Sequence, residues 1–388
     1  MEELSEGCTT CLRTLQARGK LVAGNASPKP IDKPPPLCYN LFITNPNDGE
    51  GRKMQHLNAK IDEFIKSNTV EHIAVRVGCG DDILHDAFRG GVHEKTLFDM
   101  ASVTKVMATT TLALIALDRG LLALDQPISA FYPTTKPMTV KHLLTHTMGI
   151  GHKPLNQAGN TYENIAEKIL EIPSDVPIGT DVRYSCPGYI LLGKILEKIF
   201  GKPLHESFAE LVAAPLELVD TSFLPKNRQN AVNSNGDEAL RGVVNDYNCQ
   251  FLGGVAGNAG LFSTLADVTA YVKLLRHRGA PLFGEDTFSL AARNHTDGMS
   301  ASRGLGFLYV DGRYAQTGGL FADGAIGHCG HTGQSVFVDY RTGLYVIILS
   351  DATATVAKKY GQSRYEEVKD LRAQLHGAIK QDLAEAIF

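Results

Sequence analysis

A serine and a lysine three residues apart, Ser102 and Lys105, are the pair in this sequence whose types and spacing most directly suggest chemistry. Lys105 is the only charged residue between Asp99 and Asp118, in a segment apolar on nearly every side, which predicts a buried helix. Burial lowers the pKa of an ammonium group toward the range in which the amine accepts a proton. Residues three apart share a helix face, so the spacing predicts a nucleophile beside its base.

The same two residues have a structural interpretation. About one Ser-x-x-Lys is expected by chance in a chain of 388 residues, although Ser102 is the only serine here with lysine at the third following position. A serine that caps a helix would have Glu or Gln where Lys105 stands, and Asp99 is the better cap candidate. The pattern alone leaves both interpretations open, and the buried lysine favours the nucleophile.

Composition bounds the class of protein. At 388 residues and 43% hydrophobic content the chain can bury one large core or two smaller ones. The net charge of -4 and the lack of a basic run argue against a nucleic-acid partner. No signal peptide opens the chain and no apolar run reaches membrane-spanning length, since the longest stops at Asp118 and Arg119. We expect a soluble, cytoplasmic protein that does not bind a membrane.

Cysteine and histidine spacings give little support for a metal site. The seven cysteines form no disulfide framework, which suits a reducing compartment. Cys8 and Cys11 have zinc or redox spacing but no second pair. His142 and His146 share a helix face, yet no Glu follows His142 to make a zinc-protease motif. We therefore predict no metal and no cofactor.

Hydrophobic periodicity predicts an α/β (α+β) fold with a mostly antiparallel sheet flanked by helices. Residues 1–55 are rich in proline and turn signals and form an irregular extension. Strand and helix signals then divide the rest into a discontinuous α/β domain, residues 56–122 and 257–388, and a mainly helical insertion, residues 123–256. A helix begins at His56, two strands flank the turn at Gly80-Asp81, and an amphipathic helix from Tyr365 to Ile387 closes the chain.

One glycine-rich run, Gly253 to Gly260, lies at the end of the helical part. It lacks the spacing and the Lys-Ser or Lys-Thr ending of a phosphate-binding loop, so nucleotide binding is not expected. The run is better suited to letting backbone pass close to a neighbouring element, and the active site is a candidate for that neighbour.

Several motifs, taken together and in order, resemble the serine β-lactamase and penicillin-binding-protein-like superfamily, in particular its class C-like branch of esterases and D-Ala-D-Ala carboxypeptidase-like proteins. Ser102-Val103-Thr104-Lys105 matches the first motif. Tyr184-Ser185-Cys186 matches the second, Tyr-x-Asn, with cysteine where asparagine is typical. Met138 to Gly149 and Gly253 to Thr264 resemble further family segments, and the resemblance spans residues 56 to 350. It implies a β-lactamase/transpeptidase-like fold.

The family's third motif, Lys or His followed by Thr-Gly, fits two registers. His331-Thr332-Gly333 has the literal letters. The family usually places this triplet on the strand before the one predicted from Ser335 to Asp339, with a few residues between the two. This favours His328 at the head of the motif, with His331 as the alternative.

The resemblance also implies roles for these residues. Ser102 is the acyl-forming nucleophile, Lys105 its base or proton relay, and Tyr184 the proton donor to the leaving group. The oxyanion would lie between the backbone N–H groups of Ser102 and His331, beside Gly330. His328 would supply charge or a hydrogen bond near a substrate carboxylate or the Tyr184 oxygen.

The departure at Cys186 affects the substrate prediction. In the family, an asparagine usually occupies the position of Cys186, and its side-chain amide hydrogen-bonds to the substrate acylamide and to the lysine. A thiol cannot make the same hydrogen bonds. This puts efficient β-lactam hydrolysis in doubt but leaves acyl transfer chemistry intact.

The predicted function is therefore hydrolysis of a small-molecule ester, amide or peptide-like substrate through an acyl-Ser102 intermediate, most simply by an esterase. A D-amino-acid peptidase or carboxypeptidase is the alternative within the same chemistry, and a β-lactamase ranks third. An acyltransferase would use the same residues with another acceptor than water. From a different class, a non-catalytic ligand-binding or sensor protein could keep the fold, although it would have no need of a buried lysine. The sequence leaves the oligomeric state open.

Overall fold

The computed structural model of the chain describes residues 54–385, and its centre is a six-stranded antiparallel sheet in the order β2-β1-β9-β8-β7-β6. These strands are β1 (Ile73–Cys79), β2 (Asp82–Arg89), β6 (Leu308–Tyr309), β7 (Ile326–Cys329), β8 (Ser335–Val338) and β9 (Leu344–Ser350). A second, smaller sheet pairs β3 (Phe98–Asp99), β5 (Leu261–Ser263) and β4 (Ser222–Phe223) in that order. The predicted fold class, a mostly antiparallel sheet flanked by helices, is confirmed.

Eleven α-helices of the described part surround the two sheets. They are α1 (Gln55–Lys66), α2 (Thr111–Asp118), α3 (Val140–Leu144), α4 (Ile165–Glu171), α5 (Cys186–Phe200), α6 (Leu204–Phe208), α7 (Tyr247–Phe251), α8 (Leu265–Arg276), α9 (Glu285–Ala292), α10 (Ala352–Tyr360) and α11 (Tyr365–Glu385). The predicted opening helix and first hairpin are confirmed, and the closing helix is confirmed as far as Glu385, the last described residue.

The main sheet is covered on both faces, which explains why its central strands are continuous apolar runs. Alternate residues of β9 belong to different cores, with Ile347 and Leu349 on one side and Val346 and Ile348 on the other. Helices α1 and α11 supply the second core, and the first core contains the helix that follows β3. The nucleophile segment therefore lies against the sheet with its apolar surface buried.

That segment is one continuous helical stretch of three types. Residues Ala101–Val103 form a 3₁₀ turn, Lys105–Thr110 a π-helical turn, and Thr111–Asp118 the α-helix α2. The stretch from Ala101 to Asp118 is long and apolar enough to cross a bilayer, so the expectation that no run reaches that length was wrong. Because 83% of this stretch is buried inside the fold, it is the core helix of this protein.

Several boundaries differ from the sequence predictions for physical reasons. The sequence placed His142 and His146 on one helix face, but the helix stops at Leu144 and His146 adopts a left-handed φ of 58°. The small sheet was not predicted because its strands of two or three residues carry no readable alternation. Residues 1–53, including Cys8 and Cys11, lie outside the described residues, and the division into domains stays a prediction.

Candidate active site

A cavity of about 880 Å³ opens between the start of the nucleophile helix, the start of α5, strand β7 and α7. Of the residues that the sequence singled out, five line it: Ser102, Tyr184, Cys186, His328 and His331. Lys105 lies behind Ser102 with its side chain fully buried. The fold therefore brings the residues of all three motifs to one place.

Ser102 and Lys105 contact each other directly. The Lys105 Nζ lies 3.0 Å from Ser102 Oγ, 2.9 Å from the Asn258 carbonyl oxygen and 3.5 Å from Cys186 Sγ. These three partners match the three donors of an ammonium group. In this arrangement the Ser102 oxygen is an acceptor, which is the geometry expected for the ammonium form of Lys105.

The Asn258 carbonyl comes from the glycine-rich run, which passes beside the active site as proposed from the sequence. At Gly257 a Cβ atom would meet the Tyr189 carbonyl oxygen at 2.0 Å, so a larger residue would force helix α5 and the run apart. The Gly257 carbonyl in turn accepts a hydrogen bond from Thr109 Oγ1 at 2.7 Å. Close backbone approach thus holds the Lys105 partner in place.

The charge of Lys105 differs from the sequence expectation. Burial does lower the pKa of the ammonium, but interaction with Cys186 and Tyr184 outweighs it, and the net pKa is raised. The expected lowered pKa was wrong because the apolar sequence around Lys105 gave no sign of the partner at Cys186, 81 positions away. Lys105 must therefore lose a proton before it can accept the one from Ser102.

Tyr184 is placed by the start of α5. Ser185 is the helix N-cap and accepts a hydrogen bond from the Gly188 N–H at 3.0 Å. The Tyr184 ring packs on His146 at 4.6 Å between centroids and lies 4.9 Å from the Lys105 Nζ. Burial raises the pKa of Tyr184 despite the nearby Lys105 charge, so at neutral pH it is a phenol and can donate a proton.

The backbone just before Ser102 is bent and held from both sides. Ala101 has a left-handed φ of 45°, and its N–H donates to Asp99 Oδ1 at 2.8 Å. The residue at the helix N-cap is Met100, so the prediction of Asp99 as the cap was wrong, and the Asp99 carboxylate instead holds the bend before the helix. The Asp99 carbonyl accepts hydrogen bonds from Thr332 Oγ1 at 2.9 Å and Gln334 Nε2 at 2.6 Å. The turn after β7 is thereby tied to the nucleophile.

The two candidate histidines of the third motif occupy different environments. His328 is buried on β7, whereas His331 lies exposed beyond the end of the strand and stacks on Tyr365 at 4.9 Å. Gly330 lies where a Cβ would meet the Met100 carbonyl at 2.7 Å. This arrangement suits the choice of His328, and the oxyanion role of the His331 N–H stays a prediction.

His328 is neutral, and its tautomer follows from its contacts. Nδ1 lies 2.8 Å from the Cys329 carbonyl oxygen and must donate to it, which leaves Nε2 as an acceptor without a partner among the described residues. Burial and the positive charges of Arg303 and Lys105 hold the pKa of His328 well below its usual value. Of the two roles predicted for it, the lowered pKa favours the hydrogen bond over the charge.

Two residues at the cavity were not identified from the sequence. Arg303 is 7% exposed, its Nε and Nη1 have no partner in the described part, and its guanidinium lies 5.6 Å from the Tyr184 ring centroid. His152 lies in an exposed loop and faces the Cys186 sulfur. Neither could have been found by local pattern, because their neighbours in sequence form irregular segments away from the motifs.

Histidines that could have suggested a metal have other contacts. His142 closes a capping box with Thr139 at the start of α3, and His146 Nδ1 accepts from the Ser185 N–H at 3.0 Å. Within residues 54–385, two groups of side chains are close enough to hold a cation, and neither lines the cavity; they are His56, Asp382 and Glu385, and Glu71, His72 and Asp351.

The chain is similar to curated proteins over most of its length. It is 28% identical over 312 residues to esterase EstB of Burkholderia gladioli, covering 67% of this chain and 78% of that protein. It is also 28% identical over 302 residues to a putative D-alanyl-D-alanine carboxypeptidase of Escherichia coli K12, covering 66% and 69% of the two chains.

Solved structures share the fold. A β-lactamase/D-alanine carboxypeptidase of Pseudomonas syringae superposes with a TM-score of 0.65 at 18% identity, covering 82% of this chain and 97% of that one. The family described as Beta-lactamase matches residues 57–367, a span that contains the Ser102, Tyr184 and His328 motifs. The chain belongs to the β-lactamase family of serine hydrolases.

Proposed function

We propose that this protein is an esterase that hydrolyses small esters through an acyl-Ser102 intermediate. The observation that carries the proposal is the 3.0 Å contact between Lys105 Nζ and Ser102 Oγ at the wall of the cavity. The similarity to an esterase of the same family supports the choice of substrate bond.

The reaction needs only groups of the chain and water. Ser102 Oγ attacks the acyl carbon as its proton passes to the neutral amine of Lys105. Collapse of the tetrahedral intermediate breaks the bond to the leaving alcohol, which takes the Tyr184 phenol proton, and Lys105 returns a proton to Tyr184. Water then attacks the acyl-Ser102 ester by the same steps in reverse, releasing the acid and restoring the Ser102 hydroxyl.

The test combines a covalent probe with turnover. Wild-type protein treated with a fluorophosphonate should gain one adduct by intact mass spectrometry and should hydrolyse p-nitrophenyl acetate. Ser102→Ala should lose both, whereas Ser207→Ala, a buried serine that does not line the cavity, should keep both. An unmodified wild type without turnover would overturn the proposal and favour a binding protein.

A second candidate, a carboxypeptidase acting on D-amino-acid peptides, is favoured by Arg303. A buried guanidinium with two nitrogens left unpartnered by the described residues is costly unless a ligand supplies an anion. A peptide with a free C-terminal carboxylate would supply one, and a relative is named as a putative D-alanyl-D-alanine carboxypeptidase.

The second candidate is tested with a matched pair of peptides. An acylated D-Ala-D-Ala peptide should be cleaved faster than the same peptide with a C-terminal amide, because only the first presents an anion to Arg303. Equal rates, or cleavage of neither, would leave the esterase proposal alone. Localisation in the cytoplasm and the lack of a nucleic-acid partner stay predictions from composition.

A further inference from the structure

Cys186 stands at the centre of the polar network behind the nucleophile. Its sulfur is 3.5 Å from Lys105 Nζ, and its side chain is 4% exposed while lining the cavity. Helix α5 begins at this residue, so the sulfur is held at the end of a rigid element. A thiol in this position is a titratable group in contact with the catalytic lysine.

Lys105 requires an anion, and the described carboxylates do not provide one in contact. None of the ion pairs formed by described residues includes Lys105, although its side chain is fully buried. Its two oxygen partners, Ser102 Oγ and the Asn258 carbonyl, are neutral. A buried ammonium without a counter-ion is strongly disfavoured, so the charge falls to the third partner, the Cys186 sulfur.

Of the other groups that face Cys186, some lower the pKa of its thiol and others raise it. Beside Lys105, the His152 ring stabilises the thiolate by hydrogen bonding and by its charge when protonated, whereas burial and the Asp246 carboxylate oppose it. Tyr184, two residues earlier, lies near the same pair as a neutral phenol. The balance lowers the pKa of Cys186, mainly through Lys105.

A second cysteine in the same core provides a contrast. Cys249 is fully buried, and its Sγ donates a hydrogen bond to the Ala259 carbonyl at 3.1 Å. Burial raises the pKa of this thiol well above its usual value. The pKa values of these two buried thiols therefore shift in opposite directions, and the structural difference between them is the Lys105 cation in contact with Cys186.

We propose that Cys186 and Lys105 share one proton, and that transfer of this proton from Lys105 to the Cys186 sulfur creates the neutral amine that activates Ser102. In the resting enzyme the pair is an ammonium and a thiolate. When one Nζ–H bond breaks and the S–H bond forms, Lys105 becomes an amine and Cys186 a thiol, with no net change in charge. The amine then accepts the Ser102 proton as Oγ attacks the acyl carbon.

Cys186 acts through Lys105 and is a positioning residue for the proton. This inference rests on the proposed function for its catalytic consequence, but the shared proton itself is independent of any substrate. The two parts can be tested separately.

The first experiment measures the thiolate directly. Wild type and Lys105→Met are alkylated with iodoacetamide from pH 5 to 9, and the rate at each cysteine is followed by peptide mass mapping. At pH 7 the wild-type Cys186 rate should exceed that of Lys105→Met by at least about tenfold, because Lys105 is the main group that keeps the sulfur ionised. Cys249 should stay unmodified in both. Equal Cys186 rates in the two proteins would overturn the shared proton.

The second experiment measures its catalytic consequence. Cys186→Ser keeps the size of the side chain but does not ionise at neutral pH, and Cys186→Asn restores the residue usual in the family motif. In wild type the acid limb of the kcat/KM profile for p-nitrophenyl acetate reports loss of the Cys186 thiol proton beside the ammonium, whereas in the variants it reports loss of the Lys105 proton itself. Because an ammonium ordinarily titrates about two units above a thiol, and burial offsets only part of that difference, the limb should move upward by about one pH unit or more. Activity lost at pH 7 should return at higher pH in both variants.

A structural role would give a different pattern. If Cys186→Ser and Cys186→Asn lower kcat/KM by the same factor at every pH, the sulfur holds the helix start and carries no proton, and the proposal fails. If wild type alkylates Cys186 as expected but hydrolyses no ester, the proposed function fails while the shared proton stands.

Discussion

The two walls of the cavity differ in how completely their polar groups are paired. The helical wall is formed by Ser102, Lys105 and Cys186. We call it closed because each of the three Lys105 donors has a hydrogen-bond partner within the protein. The strand wall, formed by Arg303 and His328, leaves Arg303 Nε and Nη1 and His328 Nε2 unpartnered among the described residues.

The difference in hydrogen bonding suits the two walls to different tasks, one to proton transfer and the other to ligand binding. A wall whose hydrogen bonds are complete without substrate is pre-organised for proton transfer and covalent chemistry. A wall that buries a cation and an acceptor without partners carries a desolvation cost that a ligand can relieve. Under the proposed function, the helical wall would perform the reaction and the strand wall would select and orient the substrate.

The largest effect should come from removing the base. Lys105→Met keeps the length of the side chain but deletes the amine, so kcat/KM should fall by on the order of 10³ or more. The measurement is ester turnover beside Lys168→Met, a surface lysine on α4 whose loss should change little. A Lys105→Met enzyme within tenfold of wild type would show that the closed helical wall is not the reactive one.

Asp99, which joins the walls, should make stability depend on pH. Burial raises the pKa of this carboxyl from 3.8 to about 6, against the opposing hydrogen bonds from Asn245 and Ala101. The folded state therefore binds the proton more tightly than the unfolded state, and this group's contribution to the free energy of unfolding falls by about 3 kcal/mol as pH rises from about 4 to 6.

Urea unfolding of wild type and Asp99→Asn across pH 4 to 7 isolates that contribution. The asparagine cannot ionise, so the stability difference between the two proteins should depend on pH in this window, with wild type losing stability relative to the variant as pH rises. Parallel curves would mean that Asp99 has the same pKa in the folded and unfolded chain, so that burial does not penalise its charge and the joint between the walls has a different chemistry.

The helical wall could be predicted from the sequence because its determinants are local. Ser102 and Lys105 are three residues apart in an apolar run. The resemblance added Tyr184 and His328. The raised pKa of Lys105 could not be predicted, because it depends on the distance from Nζ to a sulfur 81 positions away, and sequence gives no such distance.

The strand wall, unlike the helical wall, could not be predicted from local sequence. Arg303 precedes the two-residue strand β6 in an irregular segment, and only the fold reveals that it is buried without a partner. A charged residue in a glycine-rich stretch is ordinarily exposed, so local sequence indicates the wrong environment for it. The main sheet was predictable because its strands are long apolar runs, whereas the small sheet is set by tertiary contacts alone.

Replacing Arg303 should have opposite effects on stability and on selectivity. Arg303→Met removes an unpaired buried charge and should raise the free energy of unfolding by about 1 kcal/mol or more. The same change should reduce the preference for a carboxylate-bearing peptide over its amide by about ten- to a hundredfold. This is the factor expected when hydrogen bonds between a charged guanidinium and a carboxylate are lost. Thermal unfolding and paired turnover measure both, with the exposed Arg293→Met as control.

A loss of stability in Arg303→Met, with unchanged selectivity, would contradict this assignment. It would mean that the guanidinium is satisfied within the protein, and the distinction between a closed and an open wall would disappear.

The smallest effect should come from His328. His328→Gln removes the unpartnered Nε2 acceptor but keeps a polar side chain, so kcat/KM should fall by about tenfold. Because burial and the charges of Arg303 and Lys105 hold the pKa of His328 well below 6.5, the imidazole stays neutral across the working range. The pH profile of the variant between pH 6 and 8 should therefore run parallel to that of wild type. A wild-type limb near pH 6.5 that vanishes in His328→Gln would show a titrating imidazole, which would make the strand wall a participant in proton transfer.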